Sequence, residues 1–174
     1  DIFDELYLKY ALGQRRRVIM KLLTRIFGEA EIDENKIITF PKGIIGFPDL
    51  TRFALMYDTD KDTHAIEWLQ SIEEPAFAMP VMDPLHVRED YNPQIEDDVL
   101  EDVKPLTPDN MLVLVTVTVP HELKNMTVNL KGPFIINADT RKGCQVILED
   151  DNYAVKFPIY DILQKQKEET QKQQ

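Results

Sequence analysis

The segment Met111–Val119 limits the choice of folds more than any other part of this chain. Its residues, MLVLVTVTV, are apolar or β-branched throughout, and β-branched side chains favour extended backbone. Because side chains alternate across a strand, the valines share one face, and Leu112 and Leu114 share the other face with two threonines. Apolar side chains on both faces are typical of a strand at the centre of a sheet. The segment therefore predicts a central strand in a β protein.

Other short segments with strand character occur along the rest of the chain, bounded by Asp, Thr, Gly and Pro. A polar stretch, Glu29–Asn35, separates the first two of them. Their spacing predicts a mainly β fold, a compact single-domain barrel-like or sandwich sheet with one or two short helices. The predicted strands are Lys21–Phe27, Lys36–Phe40, Phe53–Tyr57, Ala65–Gln70, Ala76–Val81, Thr127–Leu130, Phe134–Asn137 and Gln145–Leu148.

Three parts of the chain differ in composition. Residues 20–160 carry the strand segments and form the predicted β domain. Residues 1–19 have apolar residues at helical spacing, followed by three arginines; we interpret this extension as a remnant of an upstream fusion or an added segment, with a docking helix as the alternative. Residues 161–174 are rich in Gln, Lys and Glu and predict a polar tail, either helical or disordered.

The charge balance excludes one class of function and favours another. Lys and Arg number 20 and Asp and Glu number 31, a formal net charge of −11. Such a chain lacks the cationic surface that a phosphate backbone requires, so we expect no direct binding to nucleic acid. An acidic protein is instead expected to attract basic partners.

The familiar motifs of catalysis are missing from this sequence. The glycines form neither a GxGxxG motif nor a P-loop, and Ser71 has no GxSxG context. The three histidines include no i, i+4 pair and Cys144 is the single cysteine, so we predict no metal site and no cofactor. We therefore expect that this protein is not an enzyme. The alternative is a carboxylate- or metal-dependent hydrolase, which would rest on the Glu73–Glu74 pair or on the dispersed histidines.

The same features bear on the compartment. A lone cysteine cannot form a disulfide within the chain, which favours a reducing environment. No apolar run is long enough to span a bilayer, and no secretory signal is recognisable. The sequence thus predicts a cytoplasmic protein that does not contact membranes.

The segment Phe40–Pro48, FPKGIIGFP, combines two glycines with two prolines. Glycine permits unusual backbone angles, and proline fixes φ and interrupts strand pairing. The segment predicts a structural turn that packs Phe40, Ile44, Ile45 and Phe47 onto the core.

The segment Arg88–Asp102 holds seven acidic residues and one basic residue. After Pro93, Ile95, Val99, Leu100 and Val103 would share one face of a helix. In an α-helix, Asp97/Glu101 and Asp98/Asp102 would be like-charge pairs, each costing roughly 0.2–0.5 kcal/mol. A helix that presents an acidic docking face would have to accept this repulsion. A plain solvated face explains the acidic residues nearly as well, so both interpretations stay open.

Three short segments, Arg25–Glu29, Ile37–Phe47 and Leu69–Ile72, and a long one, Val113–Tyr153, carry distinctive motifs. Together they resemble the FliW family of flagellar assembly factors. Arg25–Glu29 resembles the family's opening strand, Ile37–Phe47 is similar to its FPxGIxGF signature, and Leu69–Ile72 to its LQS segment. The longest match, Val113–Tyr153, fits the pattern TxNLxxPxxIN…GxQxxL. The residues that carry this last pattern are Thr127, Asn129, Leu130, Pro133, Ile136, Asn137, Gly143, Gln145 and Leu148.

The resemblance implies a bacterial regulator with two protein partners and no catalytic residues. One partner is flagellin; the other is CsrA, a dimeric RNA-binding repressor of flagellin synthesis. In such a partner switch, flagellin captures the protein, and flagellin export frees it to antagonise RNA binding by CsrA. Two mechanisms are open: the acidic face could mimic RNA and compete directly, or the protein could bind elsewhere on CsrA and lower its RNA affinity. The family resemblance favours the second, non-competitive route. We expect a monomer when it is free and assign no flagellin-binding residues. The predicted CsrA-binding residues are Glu73, Glu74, Glu89, Asp90, Glu96, Asp97 and Asp98, with Tyr91 as an aromatic anchor.

Overall fold

The computed structural model describes residues 18–57 and 65–173. Strands and 3-10 turns dominate these ranges, and one α-helix, α1 (Tyr160–Lys172), follows the last strand. The strands are β1 (Ile19–Thr24), β2 (Gly28–Asp33), β3 (Ile38–Thr39), β4 (Arg52–Met56), β5 (Glu67–Ser71), β6 (Ala78–Met82), β7 (Met111–Thr118), β8 (Thr127–Val128), β9 (Phe134–Asn137), β10 (Lys142–Gln145) and β11 (Phe157–Pro158).

Seven of these strands close into a barrel, in the order β3–β4–β5–β6–β7–β9–β10 and back to β3. Neighbouring strands are antiparallel except β10 and β3, which are parallel and pair at Lys142 and Thr39. Strands β8 and β11 extend the sheet outward from β7. The mainly β, barrel-like prediction is confirmed, and closure removes the exposed edges that an open sheet would present.

Strand β7 is central, as its sequence predicts, because it pairs with β6, β9 and β8. Its two faces enter different cores. Leu112 and Leu114 contact the barrel interior, whereas Val113, Val115 and Val117 pack into a second core outside the barrel.

The barrel interior is built around Phe40, which is fully buried. Its ring packs edge-on against Phe53 and Phe134, with centroid separations of 5.6 and 5.7 Å. Gly143 leaves the space that this ring occupies, since a Cβ atom there would lie 2.6 Å from Phe40 Cε1. The interior is therefore a packed aromatic core rather than a channel.

The outer core lies under the long connection between β6 and β7. It includes Val103 from that connection, Leu130 after β8, and Ile159 just before α1, all fully buried. The helix α1 adds Ile162 and Leu163 to this core, and the rest of it is polar. The sequence allowed either a helix or disorder in the segment 161–174, and the helix covers most of it, up to Lys172.

Two predicted elements are wrong. The polar stretch Glu29–Asn35 was expected to separate strands, but most of it belongs to β2, which pairs with β1 along its whole length. Ala30 and Ile32 face inward, and Glu29 and Glu31 face solvent. The predicted strand Gln145–Leu148 lies earlier, at Lys142–Gln145, where it pairs with β9 and β3.

The N-terminal part of the chain is described only from Val18 onward. The predicted extension 1–19 therefore lies mostly outside the described residues, although Ile19 already belongs to β1. The β1–β2 hairpin packs Met20, Leu22 and Ile32 on the barrel next to Ala54. Across the described ranges, no helix is both long and apolar enough to cross a membrane.

Candidate functional site

The acidic segment after Pro93 forms a 3-10 helix, Asp97–Val103, and not the α-helix that its spacing suggested. In a 3-10 helix, residues three apart share a face. Leu100 and Val103 therefore turn toward the outer core, while Asp98 and Glu101 share the solvent side. The expected like-charge pairs four residues apart are replaced by this closer i, i+3 spacing.

Asn137 at the end of β9 holds the end of this helix in place. Its Nδ2 donates to the carbonyl of Val103 at 2.8 Å and to that of Pro105 at 2.9 Å. Its Oδ1 accepts from the backbone N–H groups of Asp139 and Thr140. The Asn137 side chain is fully buried, so the acidic helix is tied to the barrel by a polar group with all of its hydrogen bonds satisfied.

Most of the carboxylates on this helix face solvent. Glu96, Asp97, Asp98 and Glu101 are exposed. Two lysines lie beside the helix: Lys104 Nζ is 3.0 Å from Glu101 Oε2, and Lys42 Nζ is 3.5 Å from Asp102 Oδ2. The hydrogen bond to Glu101 raises the pKa of Lys104. Asp97 and Asp98 have no ion pair among the described contacts, so the segment keeps a negative surface.

The turn Phe40–Pro48 lies next to this helix. Gly43 has a positive φ of 69°, and a Cβ atom there would lie 2.4 Å from the backbone oxygen of Pro48, so only glycine fits. Gln145 Oε1 accepts from the Ile45 N–H at 2.9 Å, while Gln145 Nε2 donates to the Gly132 carbonyl. The turn is therefore fastened to β10 and to the loop before β9.

The predicted packing of this turn is half right. Phe40 and Ile44 are buried, whereas Ile45 is 53% exposed and Phe47 is 46% exposed. Hydrogen bonds between Ile44 and Phe47 close the turn, and Ile45 lies at its exposed tip. Phe47 instead contacts Phe77 at the surface.

A cavity of about 360 Å³ opens between the turn and the 3-10 helix. We call it the loop–helix cleft. Cys144 of β10 lies in it, and burial raises the pKa of this thiol to about 11, so the group is neutral at physiological pH. The cleft is lined by Lys42, Gly43, Ile44, Ile45, Asp98, Val99, Asp102, Gly143, Cys144 and Gln145.

Glu73 and Glu74 lie elsewhere, in the turn between β5 and β6. Glu73 Oε1 accepts from Thr51 Oγ1 at 2.8 Å, and the carboxylate also accepts from the backbone N–H groups of Thr51 and Arg52. Burial favours the neutral acid, but these hydrogen bonds outweigh it and lower the pKa of Glu73. Glu73 thus stabilises the turn before β4, while Glu74 stays exposed.

Tyr91, predicted as an aromatic anchor, is a buried residue that is only 7% exposed. It packs against Tyr153 at 4.8 Å, and its hydroxyl donates to the Leu130 carbonyl at 2.7 Å. Burial raises the pKa of Tyr91 well above its ordinary value. The neighbouring residues Glu89 and Asp90 are exposed, and Asp90 pairs with Arg88 at 3.1 Å.

The structure separates the predicted binding residues into groups. Glu73 and Glu74 lie before the start of β6. The other predicted residues lie in the connection that follows the end of β6, at Glu89, Asp90 and Glu96–Asp98. The turn Phe40–Pro48, which borders the acidic helix, was not predicted to take part. Its nearness depends on the pairing of β3 with β10, and no local sequence pattern signals that pairing.

Metal chemistry finds no support in the described residues. Residues 18–57 and 65–173 contain no cluster of three His, Cys, Asp or Glu side chains that could hold a metal ion. His86 and His121 are exposed, and His64 lies outside the described ranges.

Comparison with known proteins gives a consistent result. The family model for the FliW protein matches residues 21–159. A relative from Lachnospira eligens, called flagellar assembly factor FliW, is 48% identical over 149 residues, covering 84% of this chain and 99% of the relative. Another with that name, from Lachnoclostridium phytofermentans, is 46% identical over 146 residues, covering 83% and 94%. A crystal structure of the flagellar assembly factor FliW matches with a TM-score of 0.74 and 30% identity, over 80% of this chain and 96% of that one. The chain therefore belongs to the FliW family of flagellar assembly factors.

Proposed function

We propose that this protein is a non-enzymatic regulator of flagellin synthesis in the bacterial cytoplasm. It binds the translational repressor CsrA and antagonises its binding to RNA, and it also binds flagellin. While flagellin accumulates, it competes with CsrA for the protein. Flagellin export then releases the protein to act on CsrA. Membership of a flagellar assembly family supports this role, and the net charge of −11 suits a partner with a basic surface.

The observation that carries the proposal is the acidic 3-10 helix. Asp97 and Asp98 lie exposed at its start, and Asn137 holds its end to the barrel. A fixed backbone presents these carboxylates without the ordering cost that a flexible tail would incur. Long-range attraction to a basic partner then speeds association and orients the encounter.

Antagonism proceeds by coupling rather than by direct competition for the RNA site. Binding of the protein shifts CsrA toward a state with lower RNA affinity, at a coupling free energy of typically about 1–3 kcal/mol. In that case the apparent RNA affinity of CsrA falls to a limiting value as the protein concentration rises. Under direct competition it would keep falling.

A charge-reversal experiment tests the role of the helix. The double variant Asp97→Lys, Asp98→Lys should slow association with purified CsrA by roughly tenfold at low salt and flatten its salt dependence, because rim charges act mainly on the association rate. Binding kinetics at several salt concentrations measure this directly.

The matched control is Glu168→Lys, Glu169→Lys on the exposed face of α1, which changes the net charge by the same amount. It should retain most of the wild-type association rate. If both variants slow association equally, the effect is due to net charge alone. If the Asp97–Asp98 variant has unchanged kinetics, the helix is not part of the interface.

A further inference from the structure

The loop–helix cleft places apolar side chains beside acidic ones. Ile44 is buried at its inner side, and Cys144 contributes a neutral thiol. Ile45 and Val99 stand at its opening, 53% and 47% exposed. Exposed apolar side chains grouped around a cavity are typical of surfaces that another molecule covers.

The charges at the rim favour a cation. Asp98 and Asp102 both line the cleft, and each is preceded on the same helix by another acidic residue, Asp97 and Glu101. Lys42 is the opposing charge; it pairs with Asp102 at 3.5 Å, and its own side chain is 83% exposed. An incoming lysine or arginine can therefore approach Asp98 directly and compete with Lys42 for Asp102.

The exposed apolar residues at the mouth of the cleft suit part of a protein better than a free small molecule, whereas the volume alone allows either. Small-molecule pockets typically enclose most of their ligand and occupy roughly 300–1,000 Å³, and this cleft of about 360 Å³ is near the lower end. Covering Ile45 and Val99 as well requires a surface wider than the cavity. Protein interfaces of this kind pair an apolar anchor in a hole with a charged rim.

We propose that the loop–helix cleft receives a protein segment that carries a long aliphatic or aromatic side chain beside a lysine or arginine. The apolar side chain enters the cavity between Ile45 and Val99, and the cation pairs with Asp98 and Asp102. The partner with this chemistry is the basic regulator proposed above, CsrA, so the inference rests on that proposed function. Because Tyr91 is buried, the proposal places the anchor on the partner.

The first test places a charge at the mouth of the cleft. Ile45→Asp should weaken binding to purified CsrA at least about tenfold, as expected for a residue next to an anchor. Leu123→Asp, at a position that is 51% exposed on another turn, is the matched control and should change the affinity less than about twofold. Thermal melts of both variants check that each remains folded.

The second test leaves the chain unaltered. Cys144 is the only cysteine of the protein, so its alkylation rate, read from the mass of this chain at pH 9, reports access to the cleft. Saturating CsrA should slow alkylation at least about fivefold. Slow alkylation with CsrA present, together with a loss of affinity in Ile45→Asp, supports the proposal.

Two other outcomes overturn the proposal, and a third leaves the Cys144 rate to decide. If wild-type protein binds CsrA while Ile45→Asp binds equally well and Cys144 stays equally reactive, the cleft is not the docking site and the proposed function stands. If Ile45→Asp unfolds, the rate for Cys144 decides alone, and an unchanged rate overturns the inference. If wild-type protein does not bind CsrA, the proposed function and this inference both fail.

Discussion

At the scale of single residues, acidic side chains that look alike in the sequence have different tasks. Glu73 was predicted to bind a partner, yet its carboxylate is occupied by Thr51 and the Arg52 backbone. Glu74, its neighbour, has no such bonds among the described contacts and stays exposed. No local pattern distinguishes the two, because the groups that hydrogen-bond to Glu73 belong to another strand.

The lowered pKa of Glu73 predicts how this residue affects stability. Because its folded pKa lies below the ordinary value of 4.5, its ionised form stabilises the fold fully above that value, and this contribution is lost as the pH falls through the lowered pKa. Because Glu73 is exposed and solvent screens its interactions, Glu73→Gln should reduce the free energy of unfolding by about 0.5–1 kcal/mol at pH 7 and by less at pH 3.

Urea denaturation at both pH values measures this difference. Glu74→Gln is the control and should have little effect at either pH. A loss of stability in Glu73→Gln that is the same at pH 3 and pH 7 would contradict a role for the ionised carboxylate.

At the scale of elements, sequence patterns locate strands more reliably than they locate their partners. The alternation in β7 is strong because almost every residue is apolar or β-branched, and its central position follows from that. In β2 the alternation is present, with Ala30 and Ile32 inside, but its glutamates have low strand propensity and mask the pattern. The C-terminal end of the acidic 3-10 helix is held by hydrogen bonds from Asn137, a tertiary contact that the local spacing of residues does not reveal.

The role of Asn137 gives a prediction for the acidic helix. Asn137→Ala removes both donors to the Val103 and Pro105 carbonyls and leaves them without these partners. The free energy of unfolding should fall by about 2–4 kcal/mol. Amide hydrogen exchange should also speed up locally in Asp97–Lys104, more than in the paired strands β4 and β5.

Asn125→Ala provides the comparison, since Asn125 is exposed and makes one long side-chain hydrogen bond of 3.4 Å to Glu122. It should leave both the stability and the exchange pattern nearly unchanged. Uniform acceleration across the barrel in Asn137→Ala would argue against a specific hold on the acidic helix.

At the scale of the whole molecule, composition suggests a kind of partner but does not say where on the surface it would bind. The net charge favours a basic partner, and the proposed regulatory role also needs the family resemblance. In the fold, the predicted residues lie in two groups, one at each end of β6. Glu73 and Tyr91 make hydrogen bonds within the protein. The fold also places the turn Phe40–Pro48 beside Asp98. This last arrangement depends on the parallel pairing of β3 with β10, two segments far apart in the chain.

The most direct test of the partner switch is calorimetric titration of the unaltered protein with purified CsrA, at two salt concentrations, with and without flagellin. The account predicts tight binding that weakens at the higher salt concentration and disappears when flagellin is present in excess. Absence of binding to CsrA, or binding that flagellin leaves unchanged, would contradict it.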